Sequence, residues 1–253
     1  MPHYRSISGR FGDKSRRVIA CLLVALAAAG GGWSTADAAD PDATRVAALR
    51  IIERGGYVVG LVSGKRLSIR TAAEVPPGPW QIWEVFLRRI TIGDDDLAVV
   101  AAAPGVRGIF ISDTALTTAG AGHLARMTEL REIALTATGT TDAGVKQLGG
   151  LKLTALAISK AEITDEALQT VSAMPTLLTL RLENDAKLTD AGIALLTKLP
   201  KLEHIALANS QLTDRGVAEL AKSSLVEAPG CKLHGRDRRG GCRHRPHEAT
   251  DSL

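Results

Sequence analysis

The sequence predicts an α/β solenoid, with a curved parallel sheet along its concave side and short helices along its convex side. Three observations carry that prediction. The phrases TTDAGVKQL (140–148), ITDEALQTV (163–171), LTDAGIALL (188–196) and LTDRGVAEL (212–220) are near copies of one another. The apolar residues that open successive units, Val106, Leu130, Leu153, Leu177, Leu202 and Leu225, are spaced by 24, 23, 24, 25 and 23 residues. Each unit also opens on the pattern L-x-x-L-x-L. A fixed period of this size marks stacked copies of one small unit, because a single copy cannot bury its own apolar side.

Each element of the unit has its own signal. Alternating apolar residues, as in Ile133 and Leu135 or Leu180 and Leu182, predict a short strand whose every other side chain points inward. A small polar residue follows at Thr114, Thr138 and Ser210, replaced by Ala161 and Asp185 in two units. The Thr-Asp pair then predicts a helix start, since its oxygens accept bonds from unpaired backbone amides and its charge suits the positive helix end. Apolar residues three apart, Val145 and Leu148 or Ile193 and Leu196, give the helix one buried face. Gly144, Gly192 and Gly216 recur in the first turn, where glycine is disfavoured by about 0.5–1 kcal/mol, and suggest a close approach of helix to strand. Pro104, Pro175 and Pro200 close three units. A shortened first unit is read from Leu87, Ile90 and Ile92, with 19 residues to Val106.

This pattern resembles the leucine-rich repeat, in the short form whose helix opens on T-D-x-G, similar to the ribonuclease-inhibitor-like and cysteine-containing subfamilies found in exported bacterial proteins. The resemblance covers about residues 86–225. It implies an interaction protein that binds through its concave strands. The Asn usual at the family's ladder position is replaced here by Thr, Ser, Ala or Asp, which predicts a weaker hydrogen-bonded ladder.

The flanks read differently. Arg5, Arg10, Lys14, Arg16 and Arg17 precede the apolar run VIACLLVALAAAG, and Ala36 and Ala38 bracket Asp37 as at a cleavage site. Residues 1–38 are therefore expected to be a secretory signal peptide, with a retained anchor as the alternative. A run of about a dozen apolar residues is short for a bilayer span, which takes roughly 20. Ser15-Arg16-Arg17-Val18-Ile19 also resembles a twin-arginine signal. Residues 41–85 read as an N-terminal capping segment: a helix from about Asp42 stopped by Gly55-Gly56, the strand YVVGLV, and Trp80 and Trp83 sealing the first repeat. Residues 226–253 read as a basic, disordered tail in which Cys231 and Cys242 could form a disulfide.

Charge narrows the partners. Of 31 Lys/Arg and 27 Asp/Glu, five and two lie in residues 1–38 and six and three in residues 230–253, which leaves 20 against 22 in the body. A body of net charge −2 offers no basic stripe for nucleic acid. The chain holds no phosphate-binding glycine loop, His-Glu-x-x-His or nucleophile elbow, and no cofactor, metal or catalytic site is expected. Asp94-Asp95-Asp96 is read as helix capping. The candidate ligand-binding residues are Arg89, Phe110, Arg181, Glu183, Asn184 and His204 on the concave face. A protein partner outside the cytoplasm, in the periplasm, envelope or medium, is the expected ligand. The alternative is metal or polyanion binding through the tail, where His234, His244 and His247 accompany the two cysteines.

Overall fold

Among the described residues, eight strands form one sheet, in the spatial order Lys65–Ile69, Tyr57–Val62, Gln81–Arg88, Gly108–Ser112, Glu132–Thr136, Ala155–Ser159, Thr179–Glu183, His204–Ala208. The computed structural model describes residues 41–185, 187–208, 213 and 216. The expected signal peptide, residues 1–38, and the tail, residues 226–253 with Cys231 and Cys242, lie outside the described residues. Among the described residues, no helix is long and apolar enough to cross a membrane.

The described residues begin with helix α1 (Pro41–Glu53), ended by Gly55 at φ 90°. Strands β1 (Tyr57–Val62) and β2 (Lys65–Ile69) form an antiparallel hairpin turned by Ser63 and Gly64, both at positive φ. Strand β1 also pairs antiparallel with β3 (Gln81–Arg88). From β3 onward every pairing is parallel, and a helix separates each strand from the next. The order is α2 (Asp94–Ala101), β4 (Gly108–Ser112), α3 (Thr118–Leu124), β5 (Glu132–Thr136) and α4 (Asp142–Leu148). It continues with β6 (Ala155–Ser159), α5 (Asp165–Ser172), β7 (Thr179–Glu183), α6 (Asp190–Leu195) and β8 (His204–Ala208).

Register confirms the repeat and corrects its first unit. Val85, Ile109, Ile133, Leu156, Leu180 and Ile205 lie side by side, as do Leu87, Ile111, Leu135, Ile158, Leu182 and Leu207. These twelve residues are buried, and with the helical faces of Leu97, Leu124, Leu148, Leu168 and Ile193 they form one continuous aliphatic core. Because Glu84 pairs with Gly108, the first unit opens at Ile82 and runs the full 24 residues to Val106. Leu87 is the last apolar residue of the unit's pattern, not its first. Ile90 and Ile92 therefore belong to the turn into α2, and the expected shortened unit does not exist.

The Thr-Asp pair performs two tasks, one in each of two repeats. Thr117, Thr164 and Thr189 cap their own helices through their hydroxyls. The aspartate that follows serves the next unit: Asp142 accepts from the backbone N–H and the hydroxyl of Thr164, each at 2.8 Å. Asp165 does the same for Thr189, and Asp190 for Thr213. Asp94 takes the hydroxyl of Thr117 at 2.6 Å. The row is broken once, where Thr118 stands at the aspartate position and Thr141 has no side-chain cap bond.

The recurring glycines follow from this row and not from an approach of helix to strand. A Cβ on Gly192 would overlap the Asp165 carboxylate, and one on Gly216 the Asp190 carboxylate. At Gly120 it would lie 2.8 Å from Leu97 Cδ1 and 2.9 Å from Asp94 Oδ1. Gly144 faces the break in the row, and there a Cβ would meet the Thr140 methyl at 3.4 Å and Ala121 Cβ at 3.9 Å, both ordinary contacts.

Of the three aspartates at the start of α2, Asp96 joins α1 to the repeats. It is buried, accepts from the Gly93 N–H at 3.0 Å, and pairs with Arg50 on α1 at 3.3 Å and with Arg54, just past its end, at 3.0 Å. Burial pushes its carboxyl up, but the Gly93 N–H and the two guanidiniums outweigh that and hold it below the usual carboxylate range.

Candidate functional site on the sheet face

Three columns of side chains lie on the sheet face opposite the core. The first is Glu84, Gly108, Glu132, Ala155, Thr179 and His204. The second is Phe86, Phe110, Ala134, Ala157, Arg181 and Ala206, and the third is Arg88, Ser112, Thr136, Ser159 and Glu183. Bulk is concentrated at the β1–β5 end.

The second column continues onto β1 through Tyr57, paired with Phe86. The rings of Tyr57 and Phe86 stack with centroids 4.6 Å apart and planes 3° apart, and Phe86 stacks on Phe110 at 4.6 Å and 10°. That separation is close to the strand spacing of about 4.8 Å, so the sheet itself sets the stack. Such offset aromatic pairs add about 0.5–1.5 kcal/mol each beyond area burial. The Arg70 guanidinium closes the outer end, 4.0 Å from the Tyr57 centroid. Beside the row, Trp83 sits between Arg66 at 5.2 Å and Arg107 at 5.1 Å.

The first column carries two carboxylates on either side of a glycine. Glu84 is buried and pairs with Arg66 at 3.2 Å. Glu132 lies two strands away, about 10 Å along the sheet. No ion pair or hydrogen bond engages its carboxylate among the described residues; the charge of Arg66 acts on it from a distance. Nearby Arg131 bonds instead to the carbonyls of Thr128 and Leu130, both at 2.9 Å. Burial pushes both carboxyls above the usual range. Arg66 opposes that shift at both, while Glu132 adds to it at Glu84. Gly108 between them leaves room for its neighbours: a Cβ there would stand 3.0 Å from the Phe110 ring and 3.1 Å from Glu84 Cγ.

The residues expected to bind a ligand fall into separate places. Phe110 belongs to the aromatic row. Arg181 and Glu183 lie on β7 and satisfy each other, at 2.8 Å. His204 stands beside Thr179 on β8. The Arg181 column position is three strands from Phe110, about 14 Å. Arg89 is not on the strand face: it follows β3 at φ 52° and pairs with Asp113 at 3.4 Å. Asn184 likewise leaves β7 at φ 64°. Asp113, Ala137 and Lys160 hold the same left-handed turn after β4, β5 and β6, so both residues occupy the strand exit shared by β3 through β7.

Tyr57, Arg66, Glu84, Phe86 and Glu132 are not among the candidates the sequence nominates, although it carries a signal for three: Glu132 is already outward by the alternation of Ile133 and Leu135. Aligning Ile82, Val85 and Leu87 with Val106, Ile109 and Ile111 makes Glu84 and Phe86 outward positions. Tyr57 arrives by an antiparallel hairpin outside the repeat, which no repeat spacing encodes. Among the described residues, no group of three or more His, Cys, Asp or Glu is arranged to hold a metal.

These features define an α/β leucine-rich-repeat solenoid with an aromatic and acidic cluster at one end of its strand face. No family model and no curated protein matches the chain. Among solved structures it is similar to internalin C2 of Listeria monocytogenes, at 16% identity and a TM-score of 0.43, over 81% of this chain and 100% of that one. It is also similar to internalin F of the same organism, at 20% identity and a TM-score of 0.39, over 51% of this chain and 42% of that one. The class rests on the register and topology above, not on these likenesses.

Proposed function

We propose that this chain is a non-catalytic interaction module that binds a protein through the open strand face, outside the cytoplasm. One observation carries the reading: the face bears a stack of three aromatic rings beside two carboxylates, the buried Glu84 and the half-buried Glu132. Burying charge on a surface is unfavourable unless a partner compensates it, and aromatic side chains with arginine are the groups that dominate protein interfaces. The export assignment draws on residues 1–38 alone.

The test is affinity capture from envelope and secreted fractions. Wild-type protein, a variant with Ala157→Arg on the strand face, and a form lacking residues 230–253 are compared. A partner held by wild type and by the tail deletion, and lost with Ala157→Arg, supports the reading. Capture that vanishes only with the tail would move function to the cysteine- and histidine-bearing end.

A further inference from the structure

The aromatic row does not run the length of the sheet. Past Phe110 the same column drops to the methyl groups of Ala134 on β5 and Ala157 on β6 before it rises again at Arg181. Both alanines are half-buried, so the column forms a low shelf. Glu132 stands two residues before Ala134 on the same strand and the same face. It is half-buried and has no ion pair or hydrogen bond of its carboxylate among the described residues, while the nearby Arg66 guanidinium is paired with Glu84. Two carboxylates and one cation leave a negative charge facing an apolar shelf. That is complementary to a side chain with an apolar stem and a cationic, planar head. The chain already places guanidiniums against this cluster, Arg70 on Tyr57 and Arg66 between Glu84 and Trp83.

We propose that the shelf over Ala134 and Ala157 receives an arginine side chain from the partner protein, its stem on the two methyls and its guanidinium on Glu132. The proposal rests on the strand-face reading above and names the chemistry that the face selects. An arginine satisfies Glu132 with two parallel N–H bonds, which a lysine ammonium cannot supply in one plane. A partner lacking a basic residue at that position would leave Glu132 desolvated and unpaired, so the site discriminates as well as binds.

The experiment titrates the full chain, with alanine methyl groups labelled for NMR, against acetyl-arginine amide and, in parallel, the neutral isostere acetyl-citrulline amide. Saturable shifts at the Ala134 and Ala157 methyls with the arginine probe are expected, with at least tenfold weaker response to citrulline. Glu132→Gln should weaken the arginine response at least tenfold, and it removes a half-buried charge, so folding is preserved. Ala134→Leu, which fills the shelf without changing charge, should do the same. No saturable shift, equal response to citrulline, or an unchanged response in Glu132→Gln overturns the arginine site. A lost arginine response together with capture still abolished by Ala157→Arg sinks this inference alone; capture insensitive to Ala157→Arg sinks the strand-face reading.

Discussion

The Asp165 carboxylate holds Thr189 of the following repeat by two bonds, 2.9 Å from the backbone N–H and 2.6 Å from the hydroxyl. An isolated helix start would leave that N–H to water or to its own cap. Here one repeat supplies an anion to the next, and the same contact recurs at Asp142 and Asp190. In a solenoid, stability is a sum of repeat and nearest-neighbour terms, so these carboxylates belong to the coupling between neighbours. Asp165→Ala removes a charged acceptor for two donors and is expected to destabilise the chain by about 2 kcal/mol. Urea unfolding of the variant against wild type measures this; a change under about 0.5 kcal/mol would show the row to be incidental.

The break in the row offers the reverse test. Thr118 occupies the position that aspartate holds in the units on either side, and Thr141 lacks a side-chain cap bond. Thr118→Asp places an acceptor at the start of α3 and within the geometry by which Asp142 reaches Thr164. A gain of about 1 kcal/mol is expected, read as a rise in melting temperature. Loss of stability instead would mean that the break is imposed by backbone geometry.

Gly192→Ala sets two effects against each other. Alanine favours a helix by about 0.8–1 kcal/mol over glycine, but its methyl would overlap the Asp165 carboxylate. Ala167, at the equivalent place one repeat earlier, has its amide 3.2 Å from Asp142 Oδ1, so that carboxylate admits a methyl. Asp165 must shift outward to do so, which weakens both bonds to Thr189. The net expectation is a loss of about 1 kcal/mol, whereas Gly150→Ala, whose Cβ would meet nothing within 4 Å, should be neutral. Equal melting temperatures for the two variants would remove the steric account.

The contrast between Gly192 and Glu84 shows what the sequence disclosed. Strand, turn, helix and period were legible because the aliphatic spacing repeats whatever lies outside the core. The recurrence of T-D-x-G was visible too, but its cause was not: the partner of Gly192 is 27 positions away at Asp165, in another repeat. Opening the first unit at Leu87 instead of Ile82 makes Arg89 an outward strand residue, leaves Glu84 in the capping segment 41–85, and puts Phe86 ahead of the first strand pattern. Any register error transfers the whole outward set to other positions. Tyr57 could not be found by spacing at all, since its place in the stack is created by an antiparallel pairing.

Asp185 gives the fold a dependence on pH whose sign is fixed. The side chain is buried, accepts from the Ala161 N–H at 2.8 Å through Oδ1, and finds no hydrogen-bond partner for Oδ2 among the described residues. Burial, opposed by that N–H and reinforced by Glu183, raises its pKa from 3.8 to about 6. The folded state thus holds this proton more tightly than the unfolded chain does. The associated stability is complete below pH 3.8 and is lost as pH rises through about 6. A shift of this size corresponds to roughly 3 kcal/mol. Glu84 and Glu132 act in the same direction and Asp96 in the opposite one, so the pH profile of wild type alone does not isolate Asp185. Asp185→Asn keeps the acceptor for Ala161 and removes the titration. Between pH 4 and pH 7 the variant should lose less stability than wild type, and should be the more stable of the two at pH 7. Parallel profiles for the two proteins would show that Asp185 is ionised in the folded chain at both values, contrary to its buried position.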